Sequence, residues 1–172
     1  MKKKLLISPL LVFLLLIGCK KVDQLLTFNV DVSQSVTIPG YAQGLQLPPV
    51  TVTTKSEDSF RNNKTTRDKV KDVYLNKLLL TVTDPPGTTF DFLKKVDLYI
   101  STNANNKILL AHIDDVPRGV TSITLIPTTA RLDEYLKSDT YDLTSVATST
   151  GFSPTTFRVR ADASFKVTAN PL

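Results

Sequence analysis

A strict two-residue alternation runs through the C-terminal part of this chain, and it constrains the fold more than any other feature. Between Phe157 and Ala169 every odd-numbered residue is apolar, and every even-numbered residue is polar or charged. Successive side chains point to opposite faces of a β-strand, whereas a helix would scatter them around its circumference. The pattern therefore predicts a long strand with one face in a hydrophobic core and the other in water.

Seven further segments show strand-like composition, and turn residues such as Pro39-Gly40 and Asp84-Pro85-Pro86-Gly87 separate them. These segments are residues 26–38, 47–54, 73–83, 90–101, 107–113, 120–126 and 141–147. Short helical turns are expected at 66–72 and 131–137. Short strands at regular intervals are typical of antiparallel two-layer folds. We predict an all-β fold, a single antiparallel β-sandwich of about eight strands, immunoglobulin-like or jelly-roll-like in topology.

The length of 172 residues is enough for one such domain, which we place at residues 25–172. Its most polar stretch, residues 55–72, is expected to form a mobile loop. The chain has one cysteine, Cys19, so no disulfide can form within it. The domain must therefore be held together by its hydrophobic core.

The N-terminus has the layout of a secretory signal. Lys2-Lys3-Lys4 precede an apolar run, residues 5–17, which ends at Gly18-Cys19. A membrane-spanning helix needs about 20 apolar residues, so this run is too short for the alternative of a simple spanning anchor. A second alternative, a secreted protein with one spare thiol, would leave a reactive group in an oxidising compartment.

The run Leu16-Ile17-Gly18-Cys19 resembles the lipobox of bacterial lipoproteins. The resemblance implies a signal peptide at residues 1–18, cleavage before Cys19, and lipid attachment to the Cys19 thiol. Residues 19–24 would then be the lipidated cysteine and a short tether. Lys20 follows the cysteine where an aspartate would favour the inner membrane, so the resemblance favours the outer membrane, if the cell has one.

Loss of the signal peptide changes the charge of the chain. The full sequence carries 21 basic and 16 acidic residues, a net charge of +5. Three lysines leave with the signal, so 21 − 3 = 18 basic residues remain and the net charge falls to +2. We therefore expect no nucleic-acid partner.

The tether also predicts an orientation for the domain. Residues 20–24 span at most about 18 Å, so the first strand would begin near the bilayer. In an antiparallel fold, successive connections then alternate between the near and the far end. The connections at 39–46, 84–89, 114–119 and 148–154 should lie far from the membrane. The partner-binding residues we predict in these loops are Tyr41, Gln43, Gln46, Asp114, Asp115 and Arg118. The alternative is that these residues only form turns.

Catalytic motifs are absent from the sequence. His112 is the single histidine, and with Asp114 and Asp115 it makes too few ligands for a transition-metal site. A calcium ion held by Asp84, Asp114 and Asp115 is the alternative metal site, but no loop resembles an EF-hand. Lipid on Cys19 would remove the one thiol nucleophile. We therefore predict no catalytic residues, no metal and no cofactor.

Three hypotheses for function follow. The first is a non-catalytic binding or assembly module of the cell envelope, anchored in the bilayer through acylated Cys19, with an envelope protein or glycan as partner. The second is a small envelope enzyme that uses Asp114, Asp115 or His112. The third is a carrier of an apolar ligand between the two sheets.

Overall fold

The computed structural model describes residues 26–40, 45–54, 56–151 and 156–170, and Cys19 lies outside these ranges. The described residues form an all-β, antiparallel structure with short helices. The strands are β1 (Thr27–Ile38), β2 (Leu45–Gln46), β3 (Val50–Thr53), β4 (Val70–Asp84), β5 (Leu93–Ser101), β6 (Ile108–Ile113), β7 (Ser122–Pro127), β8 (Thr140–Ser149) and β9 (Phe157–Ala169).

The strands pair as nested partners. β1 pairs with β9, β3 with β8, β4 with β7 and β5 with β6, all antiparallel. The first strand thus pairs with the last, the next with the one before the last, and so on inward. This pairing gives two layers: one is β1-β9-β4-β7, and the other is β6-β5-β8 with the short strands β2 and β3 at its edge. The layers join at one corner, where Ala111 and His112 of β6 pair with β7. The topology is that of a jelly roll, which decides between the two alternatives left by the sequence.

The second predicted strand, residues 47–54, is divided in two. Pro48 and Pro49 separate β2 from β3, and both short strands pair with β8. Proline has no N–H to donate to a sheet and is tolerated only at sheet edges or at interruptions. β2 and β3 therefore count as one broken edge strand, which leaves the predicted number of about eight unchanged.

The core lies between the two layers. In β9 the odd-numbered residues face inward, as the alternation predicts, and Phe157, Phe165 and Val167 are at most 1% exposed. Leu78 of β4, in the same layer, and Ile100 of β5, in the opposite layer, belong to the same core and are also at most 1% exposed. Burying side chains of this size stabilises a fold by about 1.5–3 kcal/mol each.

Helices occupy two connections. α1 (Ser56–Asn62) and a 3₁₀ turn (Arg67–Lys69) follow β3, and α2 (Asp133–Lys137) precedes β8. The two predicted helical turns are confirmed, but α1 replaces part of the loop expected at 55–72. Phe60 of α1 is 1% exposed and packs edge-on against Phe28, which explains why this polar segment folds onto the core.

The connections gather at two ends, as strand alternation predicts. We call the end formed by residues 84–92, 114–121 and 149–151 the Asp91 end. We call the end formed by Thr54 and residues 56–69, 102–107 and 128–139 the helix end, because it carries α1 and α2. The first described residue, Leu26, leads into β1 at the helix end, beside Phe60.

No helix among the described residues is both long enough and apolar enough to span a bilayer.

Candidate functional site

The structure places three of the predicted partner-binding residues together. Asp114, Asp115 and Arg118 are exposed in the connection between β6 and β7, at the Asp91 end. Gln46 lies in β2, where its backbone pairs with Val146. Tyr41, Gln43 and the lipid-attachment residue Cys19 lie outside the described residues.

Asp91, which the sequence analysis did not single out, organises this end of the molecule. Its Oδ1 accepts a 2.6 Å hydrogen bond from the backbone N–H of Gly119, and its Oδ2 accepts a 2.9 Å bond from the Thr89 hydroxyl. These two bonds, with the positive charge of Arg118, lower the pKa of the Asp91 carboxyl. The carboxylate is therefore held in its charged form.

The backbone carbonyl of Asp91 accepts two more hydrogen bonds. Nη1 of Arg118 donates at 3.1 Å and the Thr150 hydroxyl at 2.7 Å. A second link runs beside it, where the backbone N–H of Thr150 donates to the carbonyl of Phe92. One residue thus ties three connections into a single surface, although they are far apart in sequence.

Aromatic side chains support this surface from below. Phe90 and Phe157 are 1% exposed, and the ring centroids of Phe92 and Phe157 are 4.6 Å apart. Phe90 and Phe92 are 6.3 Å apart. Packing of this kind fixes the base of the loops, so the exposed residues above it sit on a rigid support.

Asp114 belongs to a chain of surface charges rather than to a cleft. Lys95 Nζ lies 3.0 Å from Asp114 and 3.4 Å from Asp97, and His112 Nε2 lies 3.6 Å from Asp114. The hydrogen bond between Lys95 and Asp114 raises the pKa of the lysine and lowers that of the carboxyl. The arrangement is a partly exposed ion-pair network of Lys95, Asp97 and Asp114 on the outer face of β5 and β6, with His112 beside it.

The residues considered for calcium do not converge in the structure. In the ranges it describes, no three histidine, cysteine or acidic side chains come close enough to hold a metal ion. Asp84 and Asp115 are exposed, and Asp114 is engaged by Lys95.

An apolar cavity lies between the layers, on the side where β1 and β3 face each other. Its volume is about 90 Å³, and a neighbouring cavity of about 60 Å³ shares part of its lining. The lining includes Val36, Ile38, Leu80, Leu143 and Val159. Pockets for drug-sized ligands usually measure about 300–1,000 Å³, so this space suits a side chain better than a carried ligand.

A turn signal in the sequence could have indicated the Asp91 surface. Gly119 has a backbone φ of +69°, in the region that glycine adopts readily, and it follows Pro117-Arg118. The sequence marks this turn but does not show that its N–H donates to Asp91, because the two residues are 28 positions apart.

No family model matches the chain, and no significant match occurs among curated proteins. Among solved structures, the chain is similar to the capsid protein of a decameric BFDV assembly, with 6% identity, a TM-score of 0.37, and coverage of 84% of this chain and 99% of that one. It is also similar to a Desmodium yellow mottle tymovirus structure, with 12% identity, a TM-score of 0.31, and coverage of 100% and 97%. Similarity at these scores carries no inference about function.

Proposed function

We propose that this chain is a lipoprotein of the cell envelope, anchored through acylated Cys19, and that it acts as a non-catalytic binding or assembly module through the Asp91 end. The observation that supports this proposal most is the separation of the two ends. The chain enters β1 at the helix end, while the exposed residues Asp115 and Arg118 lie on the opposite end. A lipid on Cys19 would therefore leave the Asp91 end free for a partner, in the outer membrane if the cell has one.

The chemistry of the Asp91 end favours a protein partner over a glycan. It presents charged groups on a fixed base, and rigid loops on a sandwich commonly carry binding functions. Sugar binding usually uses exposed aromatic faces, and the chain contains no tryptophan. The ring of Tyr99, on the outer face of β5, has the Lys107 ammonium 5.0 Å from its centroid, so that face is covered.

The two alternative functions have less support. A carrier of an apolar ligand would use the apolar cavity between the layers, whose volume of about 90 Å³ is small for that purpose. The larger groove of about 350 Å³ between β1 and β3 is lined mainly by polar residues. A small envelope enzyme would need polar groups converging in a cleft, whereas His112 and Asp114 are part of a surface ion-pair network.

The anchor is tested by the variant Cys19→Ser. Intact-mass measurement of the wild-type protein should show loss of residues 1–18 and added acyl chains, and the variant should yield unprocessed or unlipidated protein. A lipidated, membrane-held Cys19→Ser product would overturn the anchor.

The binding surface is tested by charge reversal at each end. Membranes carrying the double variant Asp115→Lys/Arg118→Glu should lose the cross-linked partners that the wild type retains. The matched control is Asp68→Lys/Lys71→Glu, which makes the same charge changes at two exposed positions, one in the helix end and one at the adjoining start of β4. Loss of partners in the control, with retention in the first variant, would place the binding surface at the helix end and contradict the proposal.

A further inference from the structure

The outer edge of β1 lacks most of the features that usually protect the edge of a sheet, although residues 51–54 and Ser59 of α1 stand across a groove of about 350 Å³ from its residues 30–34. Among the residues described, β1 pairs with β9 alone, over 12 residues and without a register shift. Natural edge strands are commonly short, bulged, or interrupted by lysine or proline, because an open edge can pair with another chain. β1 is long and regular, and Asp31 is its one charged residue.

The other edge of the fold is protected in the expected way. β2 has two residues and β3 has four, and Pro48-Pro49 separates them. Among the described residues, one edge of the fold is therefore protected and the β1 edge is left unpaired, so this fold does not leave its edges unprotected in general.

The core-facing side of β1 is also incompletely covered. Val30 is 2% exposed, but the inward-facing residues further along the strand, Val32, Val36 and Ile38, are only half-buried. Val36 and Ile38 line the apolar cavity of about 90 Å³. A strand added beside β1 would pair its backbone and cover these side chains at the same time.

We propose that the occupant of this edge is a second copy of the chain, paired antiparallel through β1 about a two-fold axis at Ser33. Inward-facing residues of one copy must lie opposite inward-facing residues of the other. The two-fold axis must therefore pass through a residue of β1 and not between two residues. Centring on Ser33 pairs 11 of the 12 residues of β1. It sets Val30 opposite Val36 of the second copy, and Phe28 opposite Ile38 of the second copy.

Charge and length together distinguish this register from its neighbours, because centring on Gln34 would pair only 9 of the 12 residues of β1. Centring on Asp31 would place the two Asp31 carboxylates opposite each other, and centring on Val32 would leave them about 7 Å apart on the diagonal. Centring on Ser33 places each Asp31 opposite Ser35 of the second copy, and the two carboxylates are then about 14 Å apart along the strand, beyond the screening length in salt. The edge is therefore electrostatically compatible with a copy of itself in this register.

The pairing is tested by cysteine cross-linking of the full-length protein in its native membranes. Ser33→Cys should form a disulfide-linked dimer on mild oxidation, because directly opposed residues have Cα atoms about 4.5–5.5 Å apart, within disulfide range. Ser35→Cys, on the same edge, is the matched control, since two copies of residue 35 would be about 14 Å apart. A mixture of Asp31→Cys and Ser35→Cys chains with different tags should cross-link to each other.

The wild-type protein is oxidised in parallel, and its single cysteine is Cys19. A disulfide-linked dimer of the wild type would show that Cys19 carries no lipid, whereas absence of the Ser33→Cys dimer would show that β1 does not pair. Absence of a Ser33→Cys dimer, equal dimer from Ser35→Cys, or a mixed disulfide with a different protein would each overturn the proposal. Thermal unfolding of each variant verifies that it folds.

A charge change at residue 35 gives a second test, which uses the same Ser33→Cys cross-link as its readout. In the monomer Ser35 lies opposite Arg160 of β9, so Ser35→Glu is tolerated there, but in the dimer it faces Asp31 of the second copy. In the Ser33→Cys background, Ser35→Glu should reduce dimer about 2- to 30-fold, and Ser35→Lys should not reduce it. Thr124→Glu, an exposed position on β7 of the same layer, should leave dimer unchanged. An equal response to Ser35→Glu and Ser35→Lys would contradict this register.

Discussion

The Asp91 carboxylate accepts a 2.6 Å hydrogen bond from the backbone N–H of Gly119, a residue 28 positions further along the chain. This bond joins the connection before β5 to the connection before β7. It also makes the stability of the Asp91 end depend on the charge of one carboxyl group.

Stability should therefore depend on pH through Asp91. Its pKa is lowered in the folded protein from the usual value of 3.8, chiefly by the Gly119 bond. A depressed carboxyl pKa stabilises the folded state above the unfolded-state pKa, and the contribution is lost as pH falls through the folded-state value. Asp91→Asn should be less stable than wild type at pH 7, and the difference should shrink below about pH 4. Chemical denaturation across pH 2–7 would measure this, and a constant difference would contradict it.

Gly119→Ala should destabilise the fold through its backbone alone. The φ of +69° costs an L-residue about 1–2 kcal/mol, and no atom lies within 4 Å of the position that a Cβ would take. Gly151→Ala is the control, because Gly151 has equal space and no positive φ. Denaturant unfolding should show a loss for Gly119→Ala and little change for Gly151→Ala. Equal effects would indicate that the turn tolerates any residue.

Adjacent substitutions in β9 should have opposite severity. Val159 is 6% exposed in the core, so Val159→Asp buries an unpaired charge and should cost about 3 kcal/mol or more. Arg160 points to solvent, where Nε donates to Asp162, and Arg160→Asp should cost less than about 1 kcal/mol. Circular dichroism and thermal unfolding distinguish the two, and similar tolerance at both positions would contradict the strand assignment.

Alkaline stability should depend on Tyr135 at the helix end. Burial, then its neighbour Glu134, raises the pKa of Tyr135 to about 12, and its hydroxyl donates a 2.6 Å bond to the Asn106 carbonyl. The unfolded-state tyrosine ionises near pH 10, so its stabilising contribution is complete below pH 10 and is lost towards pH 12.

Tyr135→Phe should therefore lose about 1 kcal/mol at pH 7 through the missing hydrogen bond. Its stability should fall less steeply than that of the wild type between pH 10 and pH 12. Parallel curves for the two proteins over this interval, measured by urea unfolding, would show that Tyr135 is not a source of alkaline sensitivity.

The sequence was informative about strands because burial of one face imposes a local period of two. The alternation from Phe157 to Ala169 is reproduced in β9, and the predicted strand at 26–38 matches β1 within one residue. The all-β antiparallel architecture and the grouping of connections at two ends followed from such patterns.

Features that depend on distant contacts could not be predicted from the sequence. α1 forms in a polar segment because one residue, Phe60, packs against Phe28 of β1. Asp91 lay inside a segment predicted as strand, 90–101, whereas β5 begins only at Leu93. Its importance arises from partners in two other connections, Gly119 and Thr150.

The gathering of alternate connections at opposite ends has a consequence for how this molecule can change over evolutionary time. An insertion between β6 and β7 lengthens only the surface beside Asp91, and one between β3 and β4 lengthens only the surface beside α1. The two ends can therefore diversify independently, since neither must be rebuilt when the other acquires new sequence.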